Sequence, residues 1–508
     1  MPHQTELTPA VPGSKTGNSS SQILISDSIL PLTPALVWFR HDLRLDDNPA
    51  LLAAAERGGP VIPVFIWAPE EEGAWPPGAA SRWWLHQSLG QLEGDLRAVG
   101  ARLIIRQGAS LDQLLQLIDE TGAEAVFWNR RYEPAAVARD TTVKQALRAQ
   151  NLVAESFNGN LLFEPWEVAT REGKPFQVFT AFWRAALSRP QPAVPLASPS
   201  RLAAPERWPD SLPLEELGLE PRIDWAVGFR ETWQPGIAGA EIRLQTFLED
   251  AAPRYKIARD YPAEPVTSKL SPHLHIGEIS PRRIWHEVQS WLSVARRSGT
   301  AEHGETFLKE LGWREFAHHL LFHFPHTAEQ PLRSRFERFP SEDNPQLLAS
   351  WQKGRTGYPI VDAGMRELWH TGWMHNRVRM IGASFLVKDL LAPWSSGAKW
   401  FWDTLVDADL ANNTLGWQWT AGCGADAAPF FRIFNPVTQS QKFDPRGVYL
   451  RHWLPELAAL PDKWLHQPWE SPPDILQTAG IALGTTYPMP LVDHGAARQR
   501  ALEAFKSI

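Results

Sequence analysis

The stretch Ala35–Trp67, ALVWFRHDLRLDDNPALLAAAERGGPVIPVFIW, decides the fold of the first third of the chain. It begins and ends with short apolar runs, Ala35–Phe39 and Val61–Trp67, which are rich in β-branched and aromatic residues. Such runs are typical of strands that are buried on both faces. Between them, Pro49–Arg57 has a helical pattern. The order strand, helix, strand predicts a parallel α/β unit.

The same alternation continues to about residue 150. Further strands are predicted at Arg102–Arg106 and Ala125–Trp128, and further helices at Ala80–Val99, Leu111–Glu120 and Pro134–Gln150. This alternation indicates a parallel, Rossmann-like sheet with helices on both faces. No G-x-G-x-x-G follows the first strand and the chain contains no P-loop, so neither a dinucleotide fingerprint nor a nucleotide-hydrolysing site is supported.

The second half of the chain has a different composition. Ser188 to Pro235 is rich in proline and lacks periodicity, which is typical of a connector. After it, helical patterns dominate, at Ala240–Ala251, Pro281–Arg296, Glu302–Phe322, Gly364–Thr371, Val378–Leu391 and Ala398–Val406. We therefore predict a disordered extension over residues 1–34, an α/β domain over 35–165, a linker over 166–235 and an all-α domain over 236–500.

Composition restricts the classes of function. Cys423 is the only cysteine among 508 residues, which excludes an intrachain disulfide and favours a cytoplasmic location. No apolar run reaches the length of a membrane span, and no secretory signal precedes the first strand. Because the formal net charge is −7, contact with nucleic acid requires a local basic patch.

Basic residues that could form such a patch gather in the second half. They are Arg254, Lys256, Arg259, Arg282, Arg283, Arg377, Arg379, Lys442 and Arg446. A solvated surface is the simplest explanation for most of these residues. However, they are interleaved with Trp313, Trp351 and Trp419, and nucleic-acid recognition combines cations for phosphates with aromatic rings for bases. Most of the 25 tryptophans nevertheless fit a core role.

A polar cluster lies in Asp407–Trp419, DADLANNTLGWQW. A calcium loop is excluded, because Asn412 replaces the glycine needed at the sixth position and Gln418 replaces the glutamate needed at the twelfth. Carboxylates and amides between apolar residues are better suited to holding a polar cofactor.

Two other groups of residues have simpler alternatives. Thr267–Ser271 supplies three hydroxyls ahead of Pro272, which suits a phosphate group or a plain helix cap. His318, His319, His323 and His326 contain no H-E-x-x-H pattern, and we predict that they cover a core and bind no metal.

Five long motifs resemble the photolyase/cryptochrome family, and the resemblance covers nearly all of residues 35–500. They are WFRHDLRLDDNPAL (Trp38–Leu51), TSKLSPHLHIGEISPR (Thr267–Arg282), ELGWREF (Glu310–Phe316), GRTGYPIVDAGMRELWHTGWMHNRVRM (Gly354–Met380) and DADLANNTLGWQW (Asp407–Trp419). The amino-acid sequence of the fourth motif most resembles that of cyclobutane pyrimidine dimer (CPD) photolyases allied to plant cryptochromes. The resemblance implies an α/β antenna domain followed by an all-α domain that binds FAD.

The resemblance also implies a cofactor site. By motif position, the FAD phosphates would be held by Tyr255, Thr267, Ser268, Lys269, Leu270 and Ser271, and Arg314 would lie near the pocket. Asp407 and Asp409 would bind the ribityl–isoalloxazine region, with Arg379 paired to Asp407. Asn413 would face flavin N5.

The implied activity is light-driven repair of CPDs, by electron transfer from excited reduced FAD to a dimer flipped out of UV-damaged DNA. Glu310, Asn376 and Met380 would contact the dimer, and Asn413 would act at the flavin. Trp313 and Trp419 would flank the dimer, and Arg259 and Arg377 would hold phosphates. We expect a monomer. A blue-light photoreceptor and a (6-4) photolyase are the alternatives, although Asn376 and Met380 replace the histidine pair of (6-4) enzymes.

The chain departs from the family pattern at two places. Trp417 and Trp394 match the first two electron carriers of a tryptophan chain, but Ser341 stands where the third is usual. We expect Trp351, or else another of the many tryptophans, to replace it. For the antenna, Ala135 and Ala136 occur where one branch binds folate, and Arg131 replaces an acid of deazaflavin binders. We expect methenyltetrahydrofolate against Gly78–Leu85, with 8-hydroxy-deazaflavin or no antenna as alternatives.

Overall fold

The computed structural model describes residues 32–427 and 431–508, with the side chain of Ser298 excepted. The predicted N-terminal extension, residues 1–34, therefore lies almost wholly outside the described residues.

Five parallel strands form one sheet. They are β1 (Ala35–Phe39), β2 (Val61–Trp67), β3 (Ile104–Gln107), β4 (Ala125–Asn129) and β5 (Val153–Phe157), in the order β3-β2-β1-β4-β5. β1 and β2 have the predicted bounds, and both are buried along their whole length. β5 was not predicted, because this edge strand alternates buried and exposed residues and has no apolar run.

Four helices cover the sheet: α1 (Pro49–Glu56), α2 (Ala79–Ala98), α3 (Ser110–Thr121) and α4 (Pro134–Ala149). Each lies within one or two residues of its predicted position. Alternate strand residues point into two separate cores, so that Val37 and Phe39 pack on one face of β1 and Leu36 and Trp38 on the other. The predicted Rossmann-like α/β fold is confirmed.

The remaining helices build the all-α domain and the connection to it. They are α5 (Phe179–Leu187), α6 (Val227–Thr232), α7 (Ile237–Thr246), α8 (Tyr255–Ala258), α9 (Ser271–Ile276), α10 (Pro281–Ser298), α11 (Ala301–His323), α12 (Pro345–Gln352), α13 (Pro359–Thr371), α14 (Asn376–Ser384), α15 (Trp394–Thr404), α16 (Leu410–Ala421), α17 (Pro436–Phe443), α18 (Val448–Trp453), α19 (Asp462–Leu465), α20 (Pro473–Thr478) and α21 (His494–Lys506). Two predicted helices end in π-helical turns, at Phe247–Ala251 and Phe385–Asp389.

The predicted linker, residues 166–235, packs against both domains. Phe182 and Trp183 of α5 lie in a core of the helical domain, whereas Phe229 of α6 and Trp233 lie in a core shared with the α/β domain. Buried Glu278 joins the two domains, because its Oε1 accepts hydrogen bonds from the Trp84 indole at 3.0 Å and from the Gly236 backbone N–H at 2.8 Å. These contacts hold the helical domain in a defined place beside the sheet.

Within residues 32–427 and 431–508, no helix is both long enough and apolar enough to cross a membrane.

Candidate functional site

Asp407 contacts two other predicted cofactor residues that are distant from it in the chain. Its carboxylate accepts two hydrogen bonds from Nη2 of Arg379, at 2.9 and 3.1 Å, and one from the Ser271 hydroxyl at 2.7 Å. Asp407 is buried, whereas Ser271, the first residue of α9, is exposed. The three side chains therefore form a polar wall whose open side is at the start of α9.

The turn before α9 has the backbone shape of an anion site. Lys269 has a φ of 52°, which is uncommon for a residue with a side chain, and Leu270 returns to the right-handed region. A left-handed residue followed by a right-handed one points successive backbone N–H groups toward a common partner, as in phosphate-binding loops. This turn fits the phosphates of FAD.

The side chains of this turn differ in their surroundings. Thr267 and Ser268 are half-buried, and Leu270 is buried in the core and so offers only its backbone. The ammonium of Lys269 lies 5.0 Å from the ring centroid of Trp373, and burial lowers its pKa. A partly desolvated cation beside this turn favours an anionic ligand.

Asp409 has a mainly internal role. Its Oδ1 caps α16 by accepting from the Asn412 backbone at 2.8 Å, and its Oδ2 lies 3.4 Å from Nε2 of His318 and 3.9 Å from Nδ1 of His275. Burial opposes ionisation of the carboxyl, but His318 and His275 outweigh burial and hold its pKa well below the usual range. Flavin binding by Asp409 stays a prediction.

Asn413, on the next turn of α16, donates from Nδ2 to the Ala398 carbonyl at 3.1 Å. This bond fixes the orientation of the amide, so that Oδ1 is the atom suited to accept from a ligand N–H. An acceptor at this position would suit a flavin that carries a proton on N5, as the fully reduced flavin and the neutral semiquinone do. The contact of Asn413 with N5 stays a prediction.

Tyr255 and Arg314, two further predicted FAD contacts, are held by other protein groups. Tyr255 is buried edge-on against Phe247 and Phe307, and burial raises the pKa of its hydroxyl. Arg314 donates from Nη1 to the Asn160 carbonyl at 2.8 Å, which ties α11 to the segment leaving the sheet. Their predicted contacts with FAD remain predictions.

A second polar group lies where α8, α11 and α14 meet. Arg259 and Glu310 form a hydrogen-bonded ion pair, and Arg377 pairs with Asp260 at 2.8 Å. Burial raises the pKa of the Glu310 carboxyl, although Arg259 acts in the opposite direction. The consecutive residues Arg259 and Asp260 thus connect Glu310 on α11 with Arg377 on α14. Asp260 was missed by the sequence analysis, because no local signal distinguishes it from a surface acid.

Helix α14 carries four of the predicted residues. Asn376 is exposed at its start, and Met380 lies one turn later, so both share a face. The Nδ1 atom of buried His375 caps this helix by accepting from the Arg377 backbone at 3.2 Å. Burial lowers the pKa of His375 to about 4, so the imidazole is neutral and able to accept at neutral pH.

The two residues predicted to stack on the dimer, Trp313 and Trp419, differ in the side chains that contact their rings. Trp313 lies parallel to Phe179, with ring centroids 3.8 Å apart and an interplanar angle of 10°. One face of Trp313 is therefore covered, so a ligand could stack only on the opposite face. Trp419 is half-buried, with the guanidinium of Arg432 at 5.8 Å from its ring. Phe179 had no sequence signal, since its partner is remote in the chain.

The tryptophans require one correction. Trp351 was expected to replace the missing outer electron carrier, but it is completely buried and cannot be an exit to solvent. Instead, it directly contacts buried Trp417, with ring centroids 6.2 Å apart, and donates to the Gly382 carbonyl. Trp394 begins α15 and is half-buried against the same core. Gly397 is needed here, because a Cβ atom would lie 2.0 Å from the Trp417 ring.

The histidines of α11 contact protein groups. His319 accepts from the Phe176 backbone at Nε2 and donates from Nδ1 to the Pro165 carbonyl, both at 3.0 Å. His323 also contacts the Pro165 carbonyl at 3.0 Å. They fasten the start of the linker to the helical domain, in agreement with the predicted core-covering role.

The structure consists of an α/β domain packed on a helical domain. The helical domain brings together acidic residues, an amide and a turn suited to an anion, and this combination is typical of two-domain proteins that bind a cofactor. Family models agree with both parts: residues 35–200 match the DNA photolyase model, and residues 307–507 match the FAD-binding domain of DNA photolyase. The chain belongs to the DNA photolyase and cryptochrome family, and its helical domain is an FAD-binding domain.

Individual relatives cover almost the whole chain. The deoxyribodipyrimidine photo-lyase of Agrobacterium fabrum is 50% identical over 94% of this chain and 99% of the relative. Cryptochrome-1 of Arabidopsis thaliana is 43% identical over 93% of this chain and 70% of the relative. The solved structure of a bacterial class III photolyase from Agrobacterium tumefaciens superposes with a TM-score of 0.90, at 50% identity, over 95% of this chain and 99% of that one.

Proposed function

We propose that this protein repairs cyclobutane pyrimidine dimers in DNA by using light absorbed by bound FAD. The observation that carries the proposal is the bridge made by Arg259 and Asp260, which brings Glu310 of α11 beside Arg377 of α14. It places a carboxyl with a raised pKa and two cations next to Asn376 and Met380. The same helix α14 supplies Arg379 to the FAD pocket, so that substrate and cofactor residues share one rigid element.

The chain's own residues would bind and orient the reactants. Bound FAD would supply the light-excited electron that opens the dimer, and this electron chemistry belongs to the cofactor. Glu310 and Asn376 would hydrogen-bond the dimer, while Trp313 and Trp419 would stack on it and exclude water. Flipping the dimer out costs a few kcal/mol, which is less at a lesion whose stacking is already disturbed.

A comparison of light and dark tests this function. The purified, FAD-loaded protein should remove dimers from a CPD-containing oligonucleotide under blue light and leave them unchanged in the dark. Equal loss of dimers under both conditions would contradict the proposal. A photoreceptor is the second candidate, because a cryptochrome is among the relatives; it would show light-dependent changes in the flavin spectrum without loss of dimers.

For the antenna, we propose a folate in the cavity between α2 and α15. This cavity has a volume of about 470 Å³ and is lined by Trp67, Trp75, Gly78, Arg82, Lys399 and Trp402, among others. Its size falls in the range of small-molecule sites. The tryptophan rings suit a flat pterin, and Arg82 and Lys399 are exposed cations that suit the carboxylates of a folate. The site lies against Gly78–Leu85, the segment expected from the sequence.

The region just beyond the carboxyl end of β4 is poorly suited to a deazaflavin. Arg131 there is bound to Glu72 at 2.7 Å and to Glu133 at 3.1 Å. Gly78 supports the proposed folate cavity, because it lets α2 and α15 approach each other closely. A Cβ atom at this position would lie 2.3 Å from the Trp402 carbonyl and separate the two helices.

Arg82→Ala should therefore reduce folate content severalfold, because the cavity loses a cation, while FAD content stays unchanged. The absorption spectrum of the purified protein measures both chromophores. Arg102→Ala, an exposed change elsewhere on the α/β domain, is the control. Undiminished folate in Arg82→Ala would contradict this placement.

For photoreduction of the flavin, we propose that Trp351 acts as an inner electron carrier beside Trp417. Trp351→Phe should slow photoreduction at least severalfold, because phenylalanine is much harder to oxidise than tryptophan. Transient absorption with an external reductant measures the rate, and an unchanged FAD content shows that the core has tolerated the change. Trp166→Phe, at an exposed position in the linker, is the control. An unchanged rate in Trp351→Phe would place the electron route elsewhere.

A further inference from the structure

Asp260 lies at the centre of the predicted DNA contacts. Its Oδ1 is 2.8 Å from Nη2 of Arg377, and the two side chains are 40% and 18% exposed, respectively. The preceding residue, Arg259, pairs with Glu310. The two arginines expected to hold phosphates are thus each bound to a carboxylate, and the four side chains together carry no net formal charge.

Arg377 is kept in position by more than Asp260. Its guanidinium lies 4.5 Å from the ring centroid of Phe443, and its Nη1 is 3.9 Å from the sulfur of Met380. Cation–π contact and packing therefore fix the side chain from a second side. As a consequence, removal of the Asp260 charge would leave the guanidinium in place and available for another anion.

We propose that Asp260 occupies on Arg377 the position that a DNA phosphate would take, and so limits the affinity of the protein for the DNA backbone. The inference rests on the proposed function, which makes Arg377 a phosphate contact. Carboxylate and phosphate oxygens accept from a guanidinium in the same geometry, so the two ligands compete. An arginine that must first leave a carboxylate contributes less to phosphate binding than a free one.

Such a limit has a functional consequence. Phosphate contacts position a protein on DNA but do not distinguish a lesion from normal sequence. Undamaged DNA is in vast excess, and a repaired site keeps all its phosphates. A carboxylate that weakens backbone binding therefore shifts discrimination toward the contacts that only a dimer makes, at Glu310 and Trp313, and helps the repaired strand to leave.

The test compares binding to an undimerised oligonucleotide. Asp260→Asn removes the charge with little change of shape, and it should bind about five- to tenfold more tightly than the wild-type protein. Asp224→Asn is the matched control, because Asp224 forms an Arg–Asp pair with Arg230 at 2.7 Å on another element, and the change of net charge is the same. Its affinity should stay within about twofold of wild type. Wild-type or weaker binding by Asp260→Asn would overturn the proposal.

A double-mutant cycle shows whether the effect runs through the ion pair. In an Arg377→Gln background, Asp260→Asn should no longer tighten binding; a gain of the same size there would overturn the proposal, since it would reveal a general field effect.

A repair assay separates this inference from the proposed function. If the wild-type protein fails to repair dimers in light, the proposed function is wrong. If the wild-type protein repairs dimers, but excess undimerised DNA slows repair by Asp260→Asn no more than repair by the wild-type protein, the proposed role of Asp260 is wrong.

Discussion

Asp407→Ala is expected to lose FAD and, with it, light-dependent repair. Removal of Asp407 leaves the guanidinium of Arg379, only 22% exposed, without its carboxylate and leaves the Ser271 hydroxyl without its acceptor. Breaking a mostly buried ion pair by deleting one partner costs about 3 kcal/mol or more. Because the wall of the pocket depends on this pair, the affinity for FAD should fall on the order of 100-fold.

The flavin-to-protein absorbance ratio and a titration of the apoprotein with FAD measure this loss. Asp407→Asn keeps the shape and an acceptor for Ser271, and it should show an intermediate affinity. Asp224→Ala, which breaks an exposed Arg–Asp pair, serves as the control and should retain its flavin. If Asp407→Ala binds FAD with wild-type affinity, the pocket lies elsewhere in the helical domain.

Trp313→Ala is expected to weaken binding of dimer-containing DNA by about 10- to 100-fold, while binding of undamaged DNA stays nearly unchanged. Stacking on an aromatic ring contributes about 1–3 kcal/mol per base. Phe179 covers one face of Trp313 at a centroid distance of 3.8 Å and holds the ring in a fixed plane, so that the other face is preorganised. Undamaged DNA is bound mainly through its phosphates and does not use this face.

Fluorescence anisotropy with damaged and undamaged oligonucleotides separates the two affinities. Trp313→Phe should retain most of the affinity for the dimer, because it preserves an aromatic face above Phe179. Trp369→Ala is the control, since Trp369 is 62% exposed and stacks on Trp400 at 6.0 Å. A Trp313→Ala protein that contains full FAD and binds dimer DNA within about twofold of wild type would remove Trp313 from the site.

The strands of the N-terminal domain could be predicted accurately where burial on both faces requires a continuous apolar run in the sequence. β1 and β2 are buried on both faces, so every residue in them is apolar or nearly so, and their bounds agree with the prediction. β5 escaped prediction because it lies at the sheet edge, where polar residues are tolerated. The π-helical turns at Phe247–Ala251 and Phe385–Asp389 were read as ordinary helix, since the two differ little in composition.

For the candidate site, the motifs indicated the chemistry-bearing residues but only one of the contacts between them. The link between Arg379 and Asp407, 28 residues apart, was anticipated from the family resemblance. The contact between Ser271 and Asp407, 136 residues apart, was not. Nor did any pattern suggest that Trp351 is buried against Trp417, or that Phe179 supports Trp313.

The sequence by itself determined the two-part architecture and the order along the chain of most strands and helices, and these properties follow from short-range periodicity. The residues predicted to hold a flavin and a lesion follow from the resemblance of the motifs to the photolyase/cryptochrome family. Only the tertiary structure decided which carboxylate neutralises which arginine, and so revealed Asp260 beside Arg377. The physical reason is that an ion pair depends on distance and burial in space, and neither quantity is encoded by the spacing of two residues along the chain.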